Sequence, residues 1–316
     1  MMAVNKIQII SSLFFLLVLS VVSCKKEAPL QPGDPDKNYL VVKDNPSDPV
    51  DHAIFKFYQE TSVPVFYNDT IAREHVGDSA GIPVYFYHKL ATNYTLLGRQ
   101  NGLSYQLIAE KEWVLPVLPL LKAEVLLQVP AGIPVHSILL VKTLQIRGIP
   151  GSDNAGFSSI ADKPYPALNT FIIPLVNPDT MTEAGRKNYV ASILAKMASK
   201  KLLLEHLTQI KSNFYGITIN SFPGQRIYGE RYNVISPGGT IVPQEYGFIP
   251  ASYSLSLMNR KIMPYAQDDL LTFLEAAFTY DTTAAFDADY TTYPLILQKF
   301  RAARTLLKTI GFRFAD

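Results

Sequence analysis

Residues 180–215 have the sequence TMTEAGRKNYVASILAKMASKKLLLEHLTQIKSNFY, the longest stretch of the chain with helical periodicity. Its apolar residues recur mostly at steps of three and four, which places them on one face of a helix. These residues are Tyr189, Val190, Ile193, Leu194, Met197, Leu202, Leu203, Leu207 and Ile210. Thr180 and Glu183 match a capping box, so the sequence predicts a helix that begins there. We expect this helix to organise the rest of the fold.

The elements around this helix indicate an α+β domain. Predicted strands lie mainly before it, at 63–67, 83–88, 94–97, 137–146 and 170–176. Predicted helices lie at 51–58, 110–129, 268–280 and 293–310, with loops and hairpins at 216–262. Strands followed by helices are typical of α+β folds rather than doubly wound folds. The sequence therefore predicts a mixed sheet in the N-terminal half, a central long helix and a helical C-terminal half.

The composition predicts a globular protein without a nucleic-acid partner. Of the 316 residues, 48% are hydrophobic and 18% are charged, which suits one large domain or two small ones. The net charge is only +2, from 29 basic and 27 acidic residues that are not grouped in blocks. Because nucleic-acid binding requires a clustered basic face, we expect none here.

The N-terminus has the pattern of a bacterial lipoprotein signal. Lys6 precedes the apolar segment 7–22, and Ser23 precedes Cys24, the single cysteine of the chain. A positive residue, an apolar segment and a small residue before a cysteine are typical of export followed by lipidation of that cysteine. The alternatives are an ordinary signal peptide and an N-terminal membrane helix. A single cysteine also excludes an internal disulfide.

We therefore predict a signal peptide over 1–23, lipidated Cys24 with a flexible tether over 24–50, and one domain over 51–316. The tether is rich in Pro, Asp, Asn and Lys. Lipidation would hold the protein on the lipid membrane without spanning it. Lys25, rather than an aspartate, follows Cys24. This favours a lipid anchor in the outer membrane, at the cell surface of a Gram-negative bacterium.

The chain carries no local motif for metal or nucleophilic catalysis. No two of its five histidines stand four residues apart, and no G-x-S-x-G, Walker or dinucleotide-binding pattern is present. Asp268 and Glu275 stand seven residues apart on a predicted helix, so they lie on roughly one face, where they could serve as an acid pair. Acids near a helix N-terminus are commonly capping or dipole residues, and we favour that interpretation. His206 is likewise expected to be a helix-end residue.

Tyrosine is abundant, with 18 residues against one tryptophan. Its ring is apolar and its tip is polar, so exposed tyrosines suit contact with sugars or peptides. Two tyrosine-rich segments, 228–232 and 246–253, predict such a surface. The candidate residues are Tyr228, Tyr232, Tyr246 and Tyr253. Trp113 is expected in the core instead.

Three segments carry a resemblance to a known family. Segment 51–67, DHAIFKFYQETSVPVFY, has an aspartate that starts a short helix leading into a strand. The long helix follows a predicted edge strand, and segment 265–311 has acidic residues in the first of two closing helices. Together they resemble the zinc-binding metallopeptidase lipoproteins, also described as substrate import-associated zinc metallohydrolase lipoproteins, that accompany SusC/SusD-type nutrient importers. The resemblance implies a zincin-like fold for 51–316.

The resemblance also implies a zinc site on the long helix, and here the chain departs from the family. A zincin helix has two zinc-binding histidines four residues apart and a glutamate that activates water. The corresponding residues are Ala195, Ser199 and Lys196. Alanine and serine cannot replace imidazole, and lysine places a cation where the base should be. We therefore expect no zinc, no other cofactor, no catalytic residue and closed packing at these positions.

Three hypotheses of function follow. The first is a non-catalytic accessory or binding component of a SusC/SusD-type nutrient uptake system, which binds the transporter or its peptide or glycan cargo. The second is an active hydrolase, either a peptidase or a glycosidase, with a non-standard site. The third is a structural or adhesive surface lipoprotein.

Overall fold

A computed structural model of the chain describes residues 37–92, 103–146, 160–161 and 163–315. The predicted signal peptide, Cys24, the predicted strand at 94–97 and a predicted loop at 148–156 lie outside these residues. From Tyr39 onward the described residues form one compact unit. The Tyr39 ring stacks on His88 with their centroids 3.7 Å apart, and Asp48 caps the first helix. The tether predicted up to residue 50 is therefore wrong from Tyr39 onward.

In the described part of the chain, nine β-strands and two α-helices lie before the long helix, and helices follow it. The strands are β1 (Val65–Phe66), β2 (Thr70–Ser79), β3 (Ile82–Lys89), β4 (Leu103–Gln106), β5 (Ile138–Val141), β6 (Thr143–Ile146), β7 (Ile160–Ala161), β8 (Tyr165–Pro166) and β9 (Phe171–Pro174). The α-helices are α1 (Pro49–Thr61), α2 (Val117–Leu120), α3 (Glu183–Glu205), α4 (Leu207–Gln209), α5 (Gly216–Ser221), α6 (Tyr232–Ile235), α7 (Ser252–Asn259), α8 (Ala266–Thr279), α9 (Thr283–Asp289) and α10 (Pro294–Thr309). Helical turns of the 3-10 or π type extend or connect several of these helices.

The central sheet is mixed and lies in the N-terminal half, as predicted. Its strand order is β1-β5-β9-β8, with parallel pairing from β1 to β9 and antiparallel pairing between β8 and β9. All four residues of β5 and of β9 are buried, because inner strands of a parallel array are covered on both faces. Pro174 ends β9, as expected for a residue that cannot donate to the ladder.

One predicted strand is two strands in the structure. The apolar run at 137–146 divides at Lys142 into β5 and β6, which belong to different sheets. The second sheet has the order β4-β6-β7 and is antiparallel throughout. A third sheet consists of β2 and β3 alone, paired as a hairpin.

The long helix α3 forms as predicted but begins and ends at other residues. Its N-cap is Thr182, whose hydroxyl accepts a hydrogen bond from the Gly185 N–H, so the capping box predicted from Thr180 is two residues early. The helix ends at Glu205, and the chain bends at His206 before α4. Every residue from Tyr189 to Ser199 is buried, so α3 is surrounded by other elements rather than lying on the surface.

In the C-terminal half, α8 packs against α3 and α10 packs against α8. The closing helices α8 and α10 confirm the prediction; α10 begins with Pro294, and Gly311 follows it with a φ of +100°. The prediction of hairpins in 216–262 is wrong, since short helices fill this region and its antiparallel pairing is the single bridge Arg231–Ile262.

Trp113 is 53% exposed rather than in the core. None of the helices in the described ranges is both long and apolar enough to cross a membrane.

Candidate functional site

The three residues at the expected zinc-motif positions lie inside the protein. Ala195 is fully buried, and Lys196 and Ser199 are each 4% exposed. The Ser199 hydroxyl donates to the Lys196 carbonyl at 2.9 Å within the helix, so its polar group is already satisfied. These positions are therefore almost inaccessible to solvent, and an ionisable side chain there needs a partner of opposite charge.

The partners of Lys196 come from helix α8. Asp268 and Glu275 stand two turns apart on α8, and both carboxylates act electrostatically on the Lys196 amine. Asp268 is fully buried and Glu275 is 8% exposed. Glu275 also accepts hydrogen bonds from the Lys163 Nζ, at 3.0 and 3.2 Å, and from the Ser252 hydroxyl. The two acids are therefore interior charges, and the prediction of simple capping or dipole residues is wrong.

Burial sets the ionisation of this cluster. Desolvation lowers the pKa of Lys196 to about 8, the Glu275 and Asp268 carboxylates oppose this shift, and the Lys163 ammonium adds to it. The Tyr253 ring lies close to both lysine amines, with its centroid 4.8 Å from the Lys196 Nζ and 5.2 Å from the Lys163 Nζ. Burial raises the pKa of the Tyr253 phenol, so this group stays neutral. The cluster therefore places two lysine amines and two carboxyl groups around an aromatic ring.

The cluster does not fit a zinc ion. Zinc sites in proteins use three or four His, Cys, Asp or Glu ligands around the metal. Within the described part of the chain, no group of three such side chains is placed to hold a metal. Lys163 and Lys196 instead supply the positive charge that faces Glu275 and Asp268. His206 lies apart from the cluster, at the end of α3, where its Nδ1 is 2.8 Å from the Gln209 amide oxygen.

A second buried ion pair starts from the neighbouring residue of α8. Asp269 and Lys299 are both fully buried, and the Lys299 Nζ donates to the Asp269 Oδ2 at 2.6 Å and to the Gly247 carbonyl at 3.0 Å. The Tyr228 hydroxyl donates to the same carboxylate oxygen at 2.9 Å. Four aromatic rings enclose the ammonium, with centroids 4.4 to 5.5 Å away. They belong to Phe214, Tyr228, Phe248 and Phe273.

The pair connects α8 and α10 in the interior of the protein. Sequence analysis missed it, although one pattern pointed to it. Lys299 falls on the apolar stripe of α10, three residues after Ile296 and four before Ala303, both of which are fully buried. A lysine at a core position of a helix requires an acidic partner in the interior.

The predicted tyrosine surface is not formed. Tyr253 is 2% exposed, and the Tyr228 hydroxyl points inward to Asp269, so the prediction is wrong for both residues. Tyr246 is half-buried and stacks on Phe222, with their ring centroids 4.5 Å apart. Tyr232 is half-buried as well and lines a cavity near the end of α7. Of the four, only Tyr232 therefore lines one of the principal cavities.

The accessible face of α3 borders two cavities. One has a volume of about 290 Å³, and its lining includes Lys196 and Ser199 from α3, Tyr165 from β8 and Leu271 from α8. The other, of about 160 Å³, is lined by residues from 133–137 and 167–171 together with α3. Lys200 and Leu204 line both, and we call the two cavities together the α3 groove.

The walls of the α3 groove are mainly apolar, and a sheet edge forms one side. Leu203 and Leu270 line the larger cavity, and Leu204, 76% exposed, stands between the two cavities. Tyr165 and Pro166 of β8 lie at the edge of the central sheet in the described ranges. A groove with apolar walls beside a strand edge suits an extended chain.

No protein-family model, curated protein or solved structure is detectably similar to this chain. The zincin-like fold and the family therefore remain predictions that rest on the three segments and on the position of α3.

Proposed function

We propose that the protein is a lipid-anchored outer-membrane lipoprotein that binds cargo without cutting it, as an accessory component of a SusC/SusD-type nutrient uptake system. The anchor rests on the pattern at Cys24, and the uptake system rests on the family resemblance. The lack of catalysis rests on the chemistry of α3. The observation that carries the proposal is the buried Lys196 amine beside Glu275 and Asp268, at the position where the resemblance implies a water-activating glutamate.

The site favours binding over hydrolysis for a physical reason. Peptide hydrolysis by a zincin requires a Lewis acid and a carboxylate that takes a proton from water. Here the Glu275 carboxylate is paired with the Lys163 ammonium, and Lys196 adds a second cation beside the acids. Neither acid is free to hold a metal or to activate water. The α3 groove, by contrast, remains accessible and is shaped for an extended peptide.

Peptide binding with the purified full-length lipoprotein in detergent tests this proposal. We expect a fluorescently labelled, unstructured peptide mixture to bind and to be recovered uncut. Leu204→Asp places a charge between the two cavities and should weaken binding by about tenfold or more. Ile219→Asp is the matched control, because Ile219 is 50% exposed and does not line the α3 groove.

The results distinguish the hypotheses. Binding that is lost in Leu204→Asp and retained in Ile219→Asp, with no cleavage, supports the accessory function. Cleavage of the peptide by the wild type would support the alternative of an active hydrolase. Equal binding by both variants would place the cargo site elsewhere and would contradict the assignment of the α3 groove.

A further inference from the structure

A cavity at the ends of α6 and α7 collects positive charge. It has a volume of about 710 Å³, and Arg231, Arg260 and Lys261 all line it. No acidic residue belongs to its lining. We call this cavity the basic pocket. It holds three cationic side chains, whereas the whole chain has a net charge of only +2, so the local excess is large.

These three charges lack anionic partners in the described part of the protein. None of the three cationic head groups forms an ion pair or a hydrogen bond with a described residue. The nearest acid in sequence, Glu230, accepts a hydrogen bond from the Arg231 backbone N–H at 3.0 Å and does not line the pocket. Uncompensated arginines and lysines that share one concavity attract anions.

The backbone holds the cations in place. Arg231 pairs with Ile262 in an antiparallel bridge, and the Tyr232 N–H donates to the Lys261 carbonyl at 3.0 Å. Lys261 ends α7 in the left-handed conformation, with a φ of +57°. The N–H of Lys261 donates to Met258 and that of Ile262 donates to Leu257, the bonding pattern of a Schellman motif. Glycine is the usual residue at such a position, so a lysine here is kept at a conformational cost.

The lining also includes two hydroxyl residues and a tight turn. Ser236 and Thr240 line the pocket on either side of two glycines. Gly238 has a φ of +75°, and a Cβ on Gly239 would lie 2.2 Å from the Ser236 hydroxyl oxygen. A side chain at Gly238 would be strained by this left-handed backbone, whereas a Cβ on Gly239 would only require the Ser236 hydroxyl to rotate away.

Tyr232 adds an aromatic ring to the lining. Its hydroxyl oxygen is buried and makes no hydrogen bond with a described residue. Its ring lies 5.9 Å from the Lys261 Nζ. The hydroxyl oxygen is inaccessible to solvent, so Tyr232 contributes its ring rather than its hydroxyl to the lining of the pocket.

We propose that the basic pocket binds a saccharide that carries sulfate or phosphate groups. Arginine presents a planar fork of donors that matches an oxyanion bidentately, and two arginines line the pocket. The hydroxyl groups of Ser236 and Thr240 suit the hydroxyl groups of a sugar ring, and the Tyr232 ring offers an apolar surface. The pocket is lined by none of the residues of the α3 groove, so this inference does not depend on the proposed function.

Calorimetric titration of the full-length lipoprotein in detergent with sulfated disaccharides, a sugar phosphate and the uncharged parent disaccharide tests the inference. The sulfated or the phosphorylated sugar should bind, with an affinity that falls as salt is added, and the uncharged parent should not. Inorganic sulfate and phosphate serve as competitors. The inference would be overturned if the inorganic ion bound as strongly as the sugar that carries it. It would also be overturned if the uncharged parent disaccharide bound as strongly as the charged sugar.

Three variants locate the site. Lys261→Gly suits the left-handed backbone, so we expect an unchanged or higher melting temperature together with affinity weakened by about tenfold. Arg231→Gln with Arg260→Gln should abolish binding. Lys211→Gln is the matched control, because Lys211 is exposed and lies outside the pocket. Unchanged affinity in Lys261→Gly and in the double variant would contradict the proposal.

Discussion

Lys299→Met is predicted to destabilise the protein because it leaves Asp269 charged and unpaired in the interior. The side chains have similar lengths, so methionine can fill the aromatic enclosure while the charge is lost. Lys299 makes a 2.6 Å hydrogen bond to the Asp269 Oδ2, and both residues are fully buried. Breaking a buried ion pair from one side costs about 3–5 kcal/mol in the free energy of unfolding.

The cost depends on pH through Asp269. Burial raises the pKa of Asp269 above its usual value, and the Lys299 charge and the hydrogen bonds from Lys299 and Tyr228 oppose that shift. Removing Lys299 therefore raises this pKa further. The folded variant then holds a proton that the unfolded chain has lost, so stability falls as pH rises from the unfolded value toward the raised pKa. The slope is at most about 1.4 kcal/mol per pH unit.

Urea unfolding followed by circular dichroism at pH 5.5 and 7.5 measures this effect. Lys299→Met should lose less stability at pH 5.5 than at pH 7.5, relative to the wild type. Replacing both partners, Lys299→Met with Asp269→Leu, should recover most of the loss and remove its pH dependence. Lys56→Met is the control, because Lys56 is an exposed residue of α1. A loss below about 1 kcal/mol at pH 7.5 would refute the buried pair.

Three further perturbations have defined outcomes. The pKa of Lys196 is about 8 in the fold instead of 10.5, so between these pH values the folded protein has lost a proton that the unfolded chain still holds. From pH 8 to 10.5 the free energy of unfolding of the wild type should therefore rise by about 3 kcal/mol relative to that of Lys196→Met, measured by urea unfolding. Gly247→Ala should cost about 2 kcal/mol or more in the same assay, because Gly247 has a φ of +82° and a Cβ there would lie 3.0 Å from the Leu295 Cβ. Thr182→Ala removes the hydroxyl that accepts a hydrogen bond from the Gly185 N–H. It should lower the free energy of unfolding by about 1 kcal/mol, seen as a lower melting temperature. If the stability difference between the wild type and Lys196→Met did not change with pH, the burial of the Lys196 amine would be contradicted. Unchanged stability in Gly247→Ala or in Thr182→Ala would contradict the close approach at Gly247 or the cap at Thr182.

Periodicity predicted the helices better than their ends. The apolar repeat of α3 is long enough to specify a helix, whereas Thr180 and Thr182 are both acceptable caps, and the choice depends on packing. The bend at His206 has no sequence feature that distinguishes it from a continuing helix. The run at 137–146 appeared as one strand because an apolar run does not record which sheet each half joins.

The interior charges were the least predictable part of the site. Asp268 and Asp269 are in the first turn of α8, where acids are usual for helix-dipole reasons, so their burial gave no distinct pattern. Lys196 acts on Asp268 and Lys299 pairs with Asp269, whereas Lys163 pairs with Glu275, and all three lysines come from distant parts of the chain. Tyrosine content likewise cannot separate the buried Tyr253 from a tyrosine on the surface.

The zinc content of the full-length protein, expressed in zinc-supplemented medium and measured by elemental mass spectrometry, tests the central claim about α3 most directly. The account predicts no stoichiometric zinc, because Lys163 and Lys196 already balance the charge of Glu275 and Asp268. One zinc ion per chain that disappears in Glu275→Gln or in His206→Ala would contradict it.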